Sequence, residues 1–283
     1  MIEYHHMSWL QTVTAVHGTA VPHIFKRVLL IGVIAVAVAA FDWRTDLMPD
    51  VSHLAHSLVG IAMGMLIVFR TNTSYDRFWE GRKRWGGVVN ASRNLVRHAR
   101  AHTGPSGDLG ALAGAYAHAL MVHLRKEADF TGLVPFIGEQ AASEVAAHPN
   151  PPALVALRMS ERVEARLMDG RASGFQGQDM DRYIGELLDH QGACERILKT
   201  PVPFAYAAAV RQLLVVYLGT LPFVLVSEFT WGAVPASIFI AYALFAIEEM
   251  GVHIEDPFGY DPNDLPLEAI SATIARDCEA LAK

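Results

Sequence analysis

The sequence predicts an all-α membrane protein with four transmembrane helices per subunit and a large helical cytoplasmic region. Three observations carry this. Apolar runs at 28–41, 53–69, 213–226 and 231–247 fall into two pairs, with a short connection inside each pair. Lys and Arg gather at the same ends of these runs. The long stretch between the pairs has helical periodicity and no alternating strand pattern of useful length.

The elements follow in order. Residues 1–24 carry scattered His, Glu and Thr without a compact apolar stretch, so they do not read as a signal peptide. The run from Val28 to Phe41 is short for a bilayer that takes about 20 residues, but Pro22 to Lys26 can extend it. The second run, His53 to Phe69, reaches the lower limit of roughly 17 residues. It then passes straight into a charged, aromatic-rich segment. No proline lies between His53 and Arg100, which predicts one long helix that leaves the membrane and continues beyond it. The third run, Leu213 to Val226, contains Pro222, and the fourth, Trp231 to Ile247, has Pro235 near its start.

The flanks set an orientation. Lys26 and Arg27 precede the first run, Arg70, Arg77, Arg82, Lys83 and Arg84 follow the second, and Arg211 precedes the third. The 42–51 connection carries three aspartates and one arginine, and 227–230 has no cation. By the positive-inside rule both termini and the long middle are cytoplasmic, in a multi-pass protein of the inner (plasma) membrane. Glu248 and Glu249 make the exit of the fourth run acidic, but acids weigh little in that rule. The resulting division is 1–24 cytoplasmic, 25–70 two membrane helices, 71–210 cytoplasmic, 211–249 two membrane helices, and 250–283 cytoplasmic. Within the middle, Gly104-Pro105-Ser106-Gly107 and His148-Pro149-Asn150-Pro151-Pro152 are breaks. They separate helices expected near 109–129, 134–147, 153–168 and 180–198. A last helix is expected in the tail, with Asp264 as N-cap and Pro266 in its first turn.

Composition excludes several functions. The chain is 52% hydrophobic, with a mean hydropathy of +0.24, a mixture of membrane and soluble parts. A net charge of −6 argues against a nucleic-acid partner, which needs clustered cations. Cys194 and Cys278 lie in segments read as cytoplasmic, where a disulfide is not expected, and neither has zinc-site spacing. No GxSxG, HExxH or P-loop pattern occurs, so neither an enzyme nor a bound cofactor is expected. An ion-coupled transporter would favour charges inside its spans and inverted repeats. No run has a charge in its middle, and no repeat is visible.

Three blocks carry a family resemblance. The first is Asn72-Thr73-Ser74-Tyr75-Asp76-Arg77-Phe78-Trp79-Glu80-Gly81-Arg82, continuing through Trp85-Gly86-Gly87 to Ser92-Arg93-Asn94. The second is Gln191-Gly192-Ala193-Cys194-Glu195-Arg196-Ile197, followed by Thr200-Pro201-Val202-Pro203-Phe204-Ala205-Tyr206. The third runs from Glu255-Asp256-Pro257-Phe258-Gly259-Tyr260-Asp261 through Pro262-Asn263-Asp264 to Leu265-Pro266-Leu267. Together they resemble the bestrophin family, in particular its bacterial members, over residues from about Phe25 to the C-terminus. The resemblance implies a homopentameric ion channel in membrane lipid, with four membrane helices per subunit around a central pore. It implies a neck lined by Ile61, Met65 and Phe69, with Met65 where relatives usually carry an aromatic or branched residue. It also implies a cytoplasmic constriction near Met180, with Phe175 next. Asp261, Asn263 and Asp264 match the place where animal relatives hold calcium. Here Pro262 interrupts the acidic run and Tyr260 replaces an acid, which favours a simple turn before a helix.

The residues themselves agree with the neck without requiring it. Ile61, Met65 and Phe69 fall on one helical stripe, beside a small-residue stripe of Gly60 and Gly64. The same spacing also suits a stripe that faces lipid. His53 and His56 have a metal-compatible spacing but no evident third ligand, and read as interfacial histidines. Asp76, Arg77, Glu80 and Arg84 offer i+3 and i+4 ion pairs. Trp79 and Trp85 suit interfacial anchoring or subunit packing, and His118 and His123 read as surface or core residues. Family members pass either chloride or monovalent cations. Asp42, Asp46 and Asp50 at the outer connection, with the acidic total, lean toward cations. A chloride channel of the same architecture is the alternative reading, ahead of a transporter.

Overall fold

The structure, a computed structural model, describes residues 8–45 and 53–283. Among the described residues every regular element is helical. The helices are α1 (Trp9–Val13), α2 (Val21–Thr45), α3 (His53–Thr103), α4 (Gly107–Leu124), α5 (Val134–Ile137) and α6 (Glu139–Ala146). They continue with α7 (Pro151–Met168), α8 (Gly174–Lys199), α9 (Phe204–Phe229), α10 (Ala233–His253) and α11 (Leu267–Ala282). The chain divides into two compact units. One holds the chain through Phe78, Pro201–Asp256 and Asp261–Asn263, and the other holds Trp79–Thr200, Pro257–Tyr260 and Asp264–Lys283.

In the first unit α2, α9 and α10 pack on one another. Three helical segments are long and apolar enough to cross a membrane: Val21–Thr45, His53–Thr103 and Phe204–His253. The third contains both α9 and α10, joined through the turn Thr230–Gly232. The protein is therefore an all-α membrane protein with four apolar helices. Their shared core brings together Ile24 and Ile31 of α2, Met63 and Ile67 of α3, Leu214 and Leu218 of α9, and Phe245 of α10. Lipid tails are as apolar as leucine, so burial in a bilayer adds little drive; close fit and polar pairing hold such helices together. Gly60 supplies close fit. A Cβ there would lie 2.6 Å from the Tyr217 hydroxyl, so any larger residue would have to push the Tyr217 ring of α9 aside. Gly64, the other member of the small stripe, faces open space. Pro222 sits buried inside α9, which continues past it, as membrane helices tolerate.

α3 is unbroken for 51 residues, about 76 Å at ~1.5 Å per residue. No proline or glycine pair that could kink it occurs before Gly86, and the helix continues through that pair as well. Its residues through Phe78 belong to the first unit and the rest to the second.

The second unit is built around α4, whose residues from Leu109 to Leu124 are nearly all buried. Such an all-round apolar helix belongs at the centre of a bundle. α11, α7, α5 and α8 pack against it. A Cβ at Gly110 would lie 3.0 Å from the Cys278 carbonyl oxygen, so α4 and α11 cross with their backbones close. Several boundaries differ from the sequence reading. α4 ends at Leu124 rather than near 129, because Lys126 turns left-handed at φ 58°. Gly138, at φ 80°, divides the expected 134–147 helix into α5 and α6. α7 starts at Pro151, with Asn150 capping the Ala153 amide at 3.2 Å and both prolines in its first turn. α11 begins after Pro266, which makes no side-chain cap, so Asp264 is not its N-cap.

α8 starts at Gly174, six residues before the position read from the sequence. Ser173 and Gln176 form a reciprocal capping box: the Gln176 amide donates to Ser173 Oγ at 3.4 Å, and the Ser173 amide donates to Gln176 Oε1 at 2.8 Å. That Ser-x-x-Gln spacing was present in the sequence.

Candidate functional site

The first half of α3 has two distinct faces. Met63, Ile67, Arg70 and Ser74, spaced +4, +3 and +4, are buried against the other helices of the unit. Ile61, Met65 and Phe69 occupy the opposite side and are 64%, 55% and 57% exposed. At about 100° per residue these two stripes lie roughly 180° apart. The exposed stripe continues two turns further to Asn72 and Asp76, so it changes from apolar to polar along the helix.

Arg70 follows Phe69 directly and anchors this orientation. Its guanidinium is buried and pairs with Glu248 of α10, which is also buried. Glu248 takes a second arginine from α9, Arg211 Nε donating to Oε1 at 2.9 Å. A third, Arg27 of α2, stands 3.6 Å from its other oxygen. One carboxylate thus gathers arginines from the three other helices. Next to it, Glu255 joins all three sequence blocks. Arg70 Nη2 lies 3.8 Å from its carboxylate, the Val202 amide donates to Oε1 at 3.3 Å, and Arg77 Nε donates to its carbonyl at 3.0 Å. The sequence reading missed this cluster. Its only visible signal was the acidic exit of the fourth run, which broke the orientation pattern.

In the second unit the same blocks meet again. A Cβ at Gly81 would lie 3.0 Å from Pro257 and 3.1 Å from the Phe258 ring, and one at Gly87 would overlap His190. Gln191 donates to Asn150 Oδ1 and to Glu195 Oε1, both at 2.8 Å. Tyr116 donates to the Leu187 carbonyl at 2.7 Å. Arg125 lies 4.1 Å over the Tyr260 ring and donates to the Phe258 carbonyl at 3.3 Å. Burial opposes charge on Glu195, but hydrogen bonds from Gln191 and Lys199 outweigh it and hold its carboxyl below the usual range. Burial pushes both the Cys194 and Cys278 thiols up to about 12, and the two are not joined in a disulfide.

The remaining expectations separate. Met180 is fully buried on the α8 face that also buries Gly177, Ile184 and Leu187, so its side chain belongs to the core of its own unit. Phe175, in the first turn of α8, is 83% exposed. Asp42 lies near the end of α2 and is partly exposed, whereas Asp46 and Asp50 fall outside the described residues. Asp261 and Asn263 belong to the first unit, where Asn263 Nδ2 donates to the Gly18 carbonyl at 3.1 Å. Asp264 belongs to the second unit and is buried there. His53 lies 3.4 Å from Glu228, and His56 stacks on Tyr217 with ring centroids 4.3 Å apart. Glu80 pairs with Arg84 at 2.5 Å and Lys83 at 3.3 Å. Trp85 is fully buried in its unit and Trp79 about half exposed. His123 bonds Glu195 at 3.2 Å, and His118 is partly buried.

A continuous helix that runs from a unit of membrane-length apolar helices into a second helical unit defines a class of all-α membrane protein. The family of bacterial and fungal bestrophin proteins matches residues 1–280. A voltage-dependent anion channel-forming protein from Nostoc sp. is 35% identical, covering 96% of this chain and 91% of that protein. A protein of the same description from Synechocystis sp. is 36% identical over the same shares. The crystal structure of a bacterial bestrophin homologue from Klebsiella pneumoniae superposes with a TM-score of 0.86 at 30% identity, covering 92% of this chain and 98% of that one. The chain belongs to the bestrophin family.

Proposed function

We propose that this chain forms a homopentameric channel in the inner membrane, with both termini cytoplasmic, that conducts small monovalent ions passively. The observation that carries the reading is the two-faced α3. One face is locked inward by Met63, Ile67 and the Arg70 pair, which leaves Ile61, Met65 and Phe69 turned away from the subunit's own core. Five such stripes around an axis make an apolar neck that gates by dewetting. Met65 is unbranched and flexible, so this neck is softer at its middle position than one with a ring or a branched side chain there. A second constriction falls to Phe175 rather than Met180, because a side chain without exposed surface cannot line a shared passage.

The sign of the permeant ion follows from charges near the neck. Asp76 continues the Phe69 stripe two turns on, and five copies would place a ring of carboxylates there. With Asp42 near the other end of the membrane unit, this favours cations. The second reading, an anion channel, is supported by the names of the similar proteins from Nostoc and Synechocystis.

Planar-bilayer recordings of the purified chain test both parts. Met65→Ala or Phe69→Ala should give larger or more frequent openings, and unchanged currents would mean that another stripe lines the pore. Under a KCl gradient the reversal potential should follow potassium and shift toward chloride in Asp76→Asn. A potential that tracks chloride in the unmodified protein selects the anion reading.

A further inference from the structure

Glu249 and His253 stand one turn apart on α10, and His23 faces them from the first turn of α2. One ring nitrogen from each histidine and one Glu249 oxygen all lie within 4.8 Å of one another. We propose that these three side chains bind a zinc ion that ties the start of α2 to the end of α10.

The chemistry matches the donor set. Two imidazoles and one carboxylate, with an open fourth position, form a recurring zinc arrangement, and an i, i+4 pair on one helix places two ligands on one face. The two acceptors of Glu249 are divided. Arg27 Nη1 holds Oε2 at 2.8 Å, while Oε1 stands 3.7 Å from His253 Nε2. The arginine therefore acts as an outer partner that orients the carboxylate and leaves one oxygen toward the histidines. The His23 and His253 rings meet edge to face, centroids 4.8 Å apart and planes at 84°. His253 is 9% and Glu249 7% exposed, whereas His23 is exposed on the opening turn of its helix and has room to swing inward. Tetrahedral bonds of ~2.1 Å set ligand atoms ~3.4 Å apart, so closure by up to about 1.4 Å from the present 4.8 Å completes the site.

A cavity of about 270 Å³ is lined by the two histidines, His23 and His253, with His17 and Asp261. It supplies an entry path and space for a water in the fourth position. This nitrogen-rich set is distinct from Asp261, Asn263 and Asp264, whose oxygens suit a hard cation instead. The site stands whether or not the chain conducts ions.

The test is calorimetric titration of chelator-stripped full-length protein in detergent with zinc sulfate, beside thermal melts with and without zinc. One zinc per chain is expected, with a rise in Tm. His23→Ala and His253→Ala should each weaken binding by more than the roughly 10- to 100-fold that losing an outer partner costs. His102→Ala, on α3 in the second unit, should bind as the unmodified chain does. His23→Ala decides the matter if His253→Ala fails to fold, since an exposed residue should keep the zinc-free Tm and lose only the zinc-dependent rise. Zinc binding unchanged in His23→Ala, or lost equally in His102→Ala, would overturn the proposal. So would an equal stabilisation by calcium chloride.

Discussion

Glu248 is the residue on which the membrane unit turns. Its carboxylate is buried and meets Arg70 and Arg211 directly, with Arg27 close by. Breaking a buried pair strands the other charge and costs about 3–5 kcal/mol. Glu248→Ala should therefore strand the buried Arg70 and lower thermal or denaturant stability in detergent by that order, and a change under about 1 kcal/mol would mean that water reaches Arg70. The sequence contained all four residues, yet it could not reveal the cluster. Arg70 and Glu248 are separated by 178 positions, and each arginine already had an explanation as a membrane-flank cation.

The two cysteines give a second residue-scale expectation. Buried thiols pushed up to about 12 from an ordinary 9 remain protonated in the fold but ionise when the chain opens. Their contribution to stability is thus complete below about pH 9 and is lost as pH rises toward about 12. Both should react with a thiol reagent at neutral pH only after denaturation. Rapid labelling of the native protein would contradict their burial.

At the level of the element, two glycines one turn apart on α3 meet different surroundings. Gly60 permits the Tyr217 contact, whereas a Cβ at Gly64 meets nothing in the single chain. Gly60→Ala should destabilise by about 1–3 kcal/mol, the usual cost of overpacking. Gly64→Ala should leave the stability of the dissociated chain unchanged, and a comparable loss would place a neighbouring helix against Gly64. The run without proline made α3 legible in full, from membrane segment to charged segment. α8 was less legible. Reading its start at Met180 hid the Ser173 and Gln176 cap and obscured the face on which Met180 falls. With the helix begun at Gly174, Met180 shares a stripe with Gly177, Ile184 and Leu187, the signature of a core position.

For the whole molecule, local pattern and distant pairing were unequally readable. Four apolar runs and a helical middle follow from periodicity alone, and the bestrophin family matches residues 1–280, including the three blocks, which the structure joins at Glu255 and Gly81. Those blocks hold helices in place, so they carry the fold more directly than they carry conduction. The surface of the single chain shows what is still to be covered. Leu29, Leu30 and Val33 of α2, Val215 and Val216 of α9, and Phe239 of α10 are exposed apolar side chains, and in a membrane assembly they meet lipid or neighbouring subunits.

The most direct measurement is a cryo-electron microscopy map of the full-length protein in lipid nanodiscs. Five copies should surround one axial tunnel, with α3 innermost and Ile61, Met65 and Phe69 forming its narrowest stretch. A map in which α3 presents that stripe to lipid, with the axis closed or lined by another helix, would contradict the assignment.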